Sequence, residues 1–144
     1  MSFDDVQNNV LEIKKDVERV LECSGDDTLL FVNNYDWYKN MNIIDFLRDI
    51  GKFSLVMSYQ SRNMRVQSML AKDSVTRRIS SENSMSFAEF AYQCLQSNDY
   101  LHLHRDYGCM CQIGGSDQWG NITSGIDLVK RITNDVSLIG NSKL

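Results

Sequence analysis

The spacing of apolar residues predicts a helix at the start of the chain and a buried strand after it. Apolar side chains recur at intervals of three and four between residues 6 and 20, which is the period of an amphipathic helix. The turn cluster at 24–27 then precedes a continuous apolar run at 28–32. Such a run is typical of a strand buried on both faces of a parallel sheet.

Local signals predict two more helices in the middle of the chain. Asn42 offers an N-cap for a short helix over 43–50, and Gly51 offers its C-terminal stop. A further helix is predicted over 66–79, with a basic face.

A fourth helix is predicted over 87–98, because Ser86 and Glu89 form the pattern of a capping box. On it Tyr92, Gln96 and Asp99 stand at i, i+4 and i+7 and share one face. A polar stripe on an otherwise apolar helix either faces solvent or lines a polar pocket, and periodicity alone leaves both open.

A short strand over 110–113 is predicted to lead through Gly114 and Gly115 into a helix over 119–132, capped by Ser116 or Asp117. Because ligands of open α/β sheets bind outside the carboxyl ends of strands, Asp117 and Gln118 stand at a ligand position. A plain strand-to-helix turn explains the pattern equally well. The alternation of helices and strands predicts an α/β class with parallel strands, rich in helix.

Composition narrows the functional classes. The 144 residues carry a net charge of −4, which argues against a nonspecific nucleic-acid coat and a DNA partner. No apolar run approaches the length of a membrane span, and the acidic N-terminus lacks the character of a targeting peptide. The four cysteines, at 23, 94, 109 and 111, are sparse, so we interpret them as reduced thiols of an intracellular protein.

Four possible metal ligands, His102, His104, Cys109 and Cys111, fall within ten residues. On strands each pair could chelate, but zinc sites usually space their cysteines further apart. We therefore predict no metal site and interpret the region as two strand-like segments with buried leucines at 101 and 103.

Five segments stand in order along residues 29–132: NNYDW at 33–37, IDFLRDIGK at 44–52, MLAKDSV at 69–75, MSFAEF at 85–90 and QIGGSDQWGN at 112–121. Together they resemble the tyrosyl-tRNA synthetase family of class I aminoacyl-tRNA synthetases, in its bacterial and organellar branch. Residues 53–64 interrupt the match as an insertion, and 133–144 diverge from it. The resemblance implies that residues 1–144 form part of a catalytic domain with a partial Rossmann-like parallel sheet.

The family is a tyrosine–tRNA ligase: it joins tyrosine to ATP, used with magnesium, and transfers tyrosine from the adenylate to tRNA(Tyr). The resemblance implies no bound cofactor and no acid, base or nucleophile, since such catalysis depends on positioning. It also implies a homodimer, without membrane partners, in the bacterial cytosol or the mitochondrial matrix.

Residue by residue, the resemblance assigns a tyrosine site. Tyr92 and Gln96 would hold the substrate ammonium group, and Asp99 would accept a hydrogen bond from its phenol. Gln118 would meet the carbonyl or carboxylate, while Gln112 would orient the pocket groups.

The remaining assignments surround that pocket. Gly115 and Asp117 would bind the adenylate, and Asn34 and Trp37 would form the pocket wall. Further out, Phe87 would contribute to the dimer interface, and Lys130 and Arg131 would contact the tRNA acceptor stem, although an ordinary solvated helix face explains the last pair as well.

The family's ATP-binding histidine motif and its lysine-rich mobile loop have no counterpart in these residues. We therefore expect this polypeptide alone not to aminoacylate tRNA. The alternatives are a non-catalytic short form that pairs with a full-length subunit through the segment around Phe87, and a remnant that binds tyrosine or a nucleotide without turnover.

Overall fold

The computed structural model describes residues 2–21, 29–48, 66–80, 85–135 and 137–141. The chain divides into two compact units, residues 1–39 and 40–144. The predicted stop at Gly51, the insertion at 53–64 and Cys23 lie outside the described residues.

The first unit contains the predicted N-terminal helix, α1, over Phe3–Val20. A capping box begins it: the Ser2 hydroxyl accepts a hydrogen bond from the Asp5 amide, and the Asp5 carboxylate accepts one from the Ser2 amide at 2.6 Å. None of its described side chains is buried. A second helix, α2 (Tyr35–Tyr38), follows, and the Phe3 and Tyr35 rings lie 5.5 Å apart.

The strand predicted over 28–32 is wrong for its described part. Residues 29–32 form no strand, and Leu30 and Val32 are 64% and 40% exposed. A strand requires a hydrogen-bonded neighbour, and the ladder in the described residues joins two other segments. An apolar run by itself does not supply that neighbour.

The second unit begins with α3 (Ile43–Phe46), and the predicted Asn42 cap is confirmed: its side-chain oxygen accepts from the amides of Ile44 and Asp45. The single helix predicted over 66–79 is wrong in its middle. It is divided into α4 (Val66–Leu70) and α5 (Asp73–Ile79).

The break between α4 and α5 lies at Lys72, whose backbone is extended (φ −68°, ψ 136°). Two contacts accompany it. Lys72 Nζ donates to Thr123 Oγ1 at 3.1 Å, and the Thr76 hydroxyl donates to the Leu70 carbonyl at 3.1 Å. The first contact comes from a distant part of the chain, so helical periodicity could not reveal it.

The fourth predicted helix is longer than expected. It becomes α6, Phe87–Tyr107, with the predicted Ser86–Glu89 capping box confirmed and with Gly108 in the left-handed conformation at its end. The strand-like interpretation of residues 101–104 is therefore wrong. The helix continues until Gly108 because Ser97, Tyr100 and Leu101 extend its buried face.

A small parallel sheet completes the second unit. Strand β1 (Cys111–Ile113) pairs with β2 (Ile139–Asn141) in the register Cys111–Ile139, and α7 (Trp119–Thr133) connects them. The α/β class and the parallel strands are confirmed. The core lies where α6, α7 and the segment before β2 meet, and it consists of Tyr100, Leu101, Leu128, Val129 and Leu138.

Candidate functional site

The predicted strand–Gly-Gly–helix segment is present, but its cap differs from the prediction. Residues 116–118 form a 3-10 turn, and Gln118 precedes α7 without a side-chain capping bond. Neither Ser116 nor Asp117 caps the helix. The backbone closes the turn instead, because the Gln118 amide donates to the Gly115 carbonyl at 2.9 Å.

The two glycines of this turn permit close packing of the chain on itself. A Cβ atom at Gly115 would lie 2.6 Å from Asp117 Oδ1, and one at Gly114 would lie 3.2 Å from Ile122 Cδ1. A side chain at 115 would therefore displace the Asp117 carboxylate. The glycine sets where this candidate adenylate-binding group lies.

A short chain of hydrogen bonds follows the turn. Gln118 Nε2 donates to Asp117 Oδ2 at 2.7 Å, and Asn121 Nδ2 donates to Gln118 Oε1 at 3.1 Å. Asp117 is exposed and Gln118 is half-buried, so both groups remain accessible while their orientation is held. Sequence reasoning missed Asn121, although the spacing of three from Gln118 on a helix could have indicated it.

The polar stripe on α6 lies beside a buried face. Tyr92 is 55% exposed, whereas Gln96 and Asp99 are half-buried. The adjoining face of the helix is buried and carries Gln93, Ser97, Tyr100 and Leu101.

Three side chains of this region carry buried polar atoms without a hydrogen-bond partner in the described part of the chain. These atoms are both amide atoms of Gln93, the Tyr100 hydroxyl and Nε2 of the half-buried Gln112. Native proteins pair the great majority of such atoms, so each indicates a group available to a ligand or water. Sequence reasoning missed Gln93 and Tyr100, because burial depends on what packs against α6.

Tyr100 keeps its proton throughout the physiological range. Burial raises the pKa of its hydroxyl to about 12, and the nearby Cys109, Cys111 and Asp135 act in the same direction. The hydroxyl is therefore a hydrogen-bond donor at neutral pH.

The other predicted residues lie at the periphery of their units. Asn34 precedes α2 and Trp37 lies within it, in the first unit. In the second unit Phe87 is 80% exposed at the start of α6. Lys130 and Arg131 form the basic last turn of α7, half-buried and exposed respectively.

The histidines contact carboxylates and backbone. His102 Nδ1 lies 2.9 Å from Asp106 Oδ2. His104 Nδ1 lies 3.0 Å from the Cys109 carbonyl oxygen, and its Nε2 lies 3.6 Å from Asp135 Oδ2. Among the described residues, no three histidine, cysteine or acidic side chains are arranged to hold a metal ion.

Among the described residues, no helix is long and apolar enough to span a bilayer. Cys94, Cys109 and Cys111 are free thiols, and burial raises the pKa of Cys94.

Comparison with known sequences identifies relatives with one shared activity. The tyrosine–tRNA ligase of Bifidobacterium longum is 48% identical over 120 residues, which are 83% of this chain and 25% of the relative. That of Streptomyces coelicolor is 45% identical over 129 residues, 90% of this chain and 28% of the relative. The chain thus spans about a quarter of the length of these relatives.

Solved structures that resemble this chain include tyrosyl-tRNA synthetases as well. A C-terminally truncated mitochondrial tyrosyl-tRNA synthetase from Aspergillus nidulans matches with a TM-score of 0.57 and 37% identity, over 74% of this chain and 26% of that chain. The model of the family "tRNA synthetases class I (W and Y)" matches residues 1–141. The chain therefore belongs to the class I tRNA synthetases (W and Y), and within that family its similarity is to the tyrosyl-tRNA synthetases.

Proposed function

We propose that this chain supplies part of the tyrosine-binding region of a tyrosine–tRNA ligase. The ligase activates tyrosine with ATP, which enters with magnesium as a substrate, and transfers tyrosine from the adenylate to tRNA(Tyr). The observation that carries the proposal is an identity of 45–51% to tyrosine–tRNA ligases over most of the chain. The comparisons do not favour the non-catalytic short form.

Polar side chains of α6 and β1 that approach the same position on α7 support a tyrosine site in this region. Tyr100 follows Gln96 by one helical turn, and its ring approaches the position on α7 that the Gln112 amide also approaches. Gln112 therefore lies by Tyr100, on the buried face of α6 that adjoins the stripe formed by Tyr92, Gln96 and Asp99. Amide, phenol and carboxylate together suit the ammonium and phenol groups of tyrosine.

Asp99 would provide the preference for tyrosine over phenylalanine. A half-buried carboxylate that accepts a bond from the substrate phenol would lose that bond when phenylalanine binds. In tyrosyl-tRNA synthetase this kind of site discriminates by about 10⁵-fold, a magnitude known for the family rather than obtained from this chain.

Catalysis would depend on binding rather than on proton transfer. Gln118 would hold the carbonyl or carboxylate of tyrosine, and Asp117, beside the Gly115 turn, would hold the ribose. Held in this way, a carboxylate oxygen of tyrosine attacks the α-phosphorus of ATP at high effective concentration, and the bond to the bridging oxygen breaks as pyrophosphate leaves.

The wider partners follow from the same family. The basic last turn of α7, with Lys130 and Arg131, would meet the acidic backbone of the tRNA acceptor stem. The exposed Phe87 would contribute to a homodimer interface, where aromatic side chains are enriched. For its location we propose the bacterial cytosol or the mitochondrial matrix, since its relatives include a bacterial ligase and a mitochondrial synthetase.

Amino-acid titration of the ¹⁵N-labelled chain tests this proposal. We expect L-tyrosine to shift the backbone amide signals of Tyr92, Gln96 and Asp99, and L-phenylalanine to shift them far less. Asp99→Ala should remove the difference between the two amino acids. Equal responses to both amino acids, or shifts confined to other residues, would contradict the assignment.

Turnover is a separate measurement. We expect no tyrosine-dependent exchange of pyrophosphate into ATP by this chain alone, since the family's histidine motif is not among its residues. Measurable exchange would show that the chain is active by itself.

A further inference from the structure

Gly125, in the middle of α7, faces two of the side chains that carry unpaired polar atoms. A Cβ atom built at this glycine would lie 2.9 Å from Gln112 Nε2 and 3.3 Å from Cδ1 of the Tyr100 ring. The Gln112 amide and the Tyr100 ring therefore meet at one point on α7, and that point is open only because residue 125 has no side chain.

A glycine in a helix interior is unfavourable by itself, since alanine has the higher helix propensity. This unfavourable free energy is explained if the packing around residue 125 requires a residue without a side chain. Gly125 is buried, and both α6 and β1 reach it.

The identity of the atom closest to residue 125 determines whether an alanine there would displace one side chain or disrupt the fold. Nε2 is the far end of a flexible side chain, so an alanine at 125 can be accommodated when the Gln112 amide swings away. The Tyr100 ring, at 3.3 Å, would need to yield only a few tenths of an ångström. An alanine would consequently move the amide with little disturbance of the core.

We propose that Gly125 is a positioning residue: because it has no side chain, it leaves the space that the Gln112 amide occupies beside Tyr100. In this position Nε2 is buried with its donors unused, ready for a polar group of the bound amino acid. The consequence for tyrosine rests on the proposed function, whereas the position of the amide does not.

The direct test is the side-chain amide signal of Gln112 in the ¹⁵N-labelled chain, identified by its loss in Gln112→Ala. Gly125→Ala should shift this signal while the exposed Gln67 amide on α4 stays unchanged, and the thermal unfolding temperature should remain close to that of the wild type. An unshifted Gln112 signal in folded Gly125→Ala would overturn the proposal.

A double-mutant comparison guards against a variant that fails to fold. Gln112→Asn shortens the side chain and withdraws the amide from residue 125. If Gly125→Ala unfolds the chain, the double variant Gln112→Asn/Gly125→Ala should restore folding. If the double variant unfolds equally, the contact with Gln112 is not the cause and the proposal fails.

The affinity for L-tyrosine is a further measurement, which a purely structural role of Gly125 would leave unchanged. Gly125→Ala and Gln112→Ala should each weaken L-tyrosine binding by about tenfold, as expected for the loss of one hydrogen bond. The double variant should bind no worse than Gln112→Ala alone. Losses that multiply would overturn the proposal. If the wild type does not bind L-tyrosine, the proposed function fails. The Gln112 side-chain amide signal still tests the role of Gly125 in that case.

Discussion

At the scale of single residues, Glu89 joins two elements of the second unit. One carboxylate oxygen accepts from the Ser86 amide at 2.8 Å and from the Ser86 hydroxyl at 2.9 Å. The other accepts from Arg78 Nη2 at 2.5 Å. The Ser86 amide, then the Ser86 hydroxyl and Arg78, lower the pKa of Glu89 from its ordinary value of 4.5.

A lowered carboxyl pKa means that Glu89 stabilises the fold above pH 4.5 and that this contribution disappears as the pH falls through the lowered value. Glu89→Gln keeps the capping geometry but removes the charge. We expect it to lower the thermal unfolding temperature at pH 7 and to have little effect at pH 2. Glu12→Gln, an exposed change on α1, serves as the control. An equal effect of Glu89→Gln at both pH values would contradict the charge argument.

At the scale of elements, the end of α6 decides where β1 begins. Gly108 adopts φ 68°, and its amide donates to the His104 carbonyl at 3.1 Å. The next amide, of Cys109, donates to the Leu103 carbonyl at 3.1 Å. Together these bonds close the last turn of the helix and direct the chain toward β1.

Gly108→Ala should destabilise the fold by about 1 kcal/mol, because an L-residue with a Cβ atom is strained in the left-handed conformation. Among the described residues other than its two chain neighbours, none has an atom within 4 Å of the position of that Cβ, so the cost is conformational rather than steric. Gly108→Asn should cost less, since asparagine tolerates this conformation better. Urea unfolding of the three proteins measures the order, and equal loss in both variants would contradict it.

At the scale of the whole molecule, the buried apolar side chains of the described residues all lie in the second unit. Leu128 is 1% exposed within the core, whereas Leu11 on α1 is 57% exposed. The two leucines therefore offer the same substitution in opposite environments.

Leu128→Ala should cost about 2–5 kcal/mol, through lost burial and the cavity left behind. That is a large share of the 5–15 kcal/mol typical of a domain. Leu11→Ala should change the stability by less than about 0.5 kcal/mol. Chemical denaturation followed by backbone amide signals of α1 for Leu11→Ala and of α7 for Leu128→Ala measures both. Equal destabilisation would contradict this distribution of the core.

Features that depend on neighbouring residues in the sequence could be predicted from it. The period of α1, the Asn42 cap and the Ser86–Glu89 capping box are all set by contacts within a few residues. The motif segments are contiguous too, and the synthetase family that they indicated is confirmed. The assigned roles of Tyr92, Gln96, Asp99 and Gln118 remain predictions, which the titrations address.

Tertiary structure decided what distant residues do to one another. Residues 29–32 read as a strand but form none among the described segments, since pairing requires a partner that an apolar run does not encode. The break at Lys72 accompanies its bond to Thr123, fifty-one residues away. Gly125 acquires its significance only because Gln112 and Tyr100 meet above it. Local hydrogen bonding and periodicity depend on residues that are close in the sequence, so the sequence determines them. Burial and close approach between distant residues arise only when the helices and strands pack together.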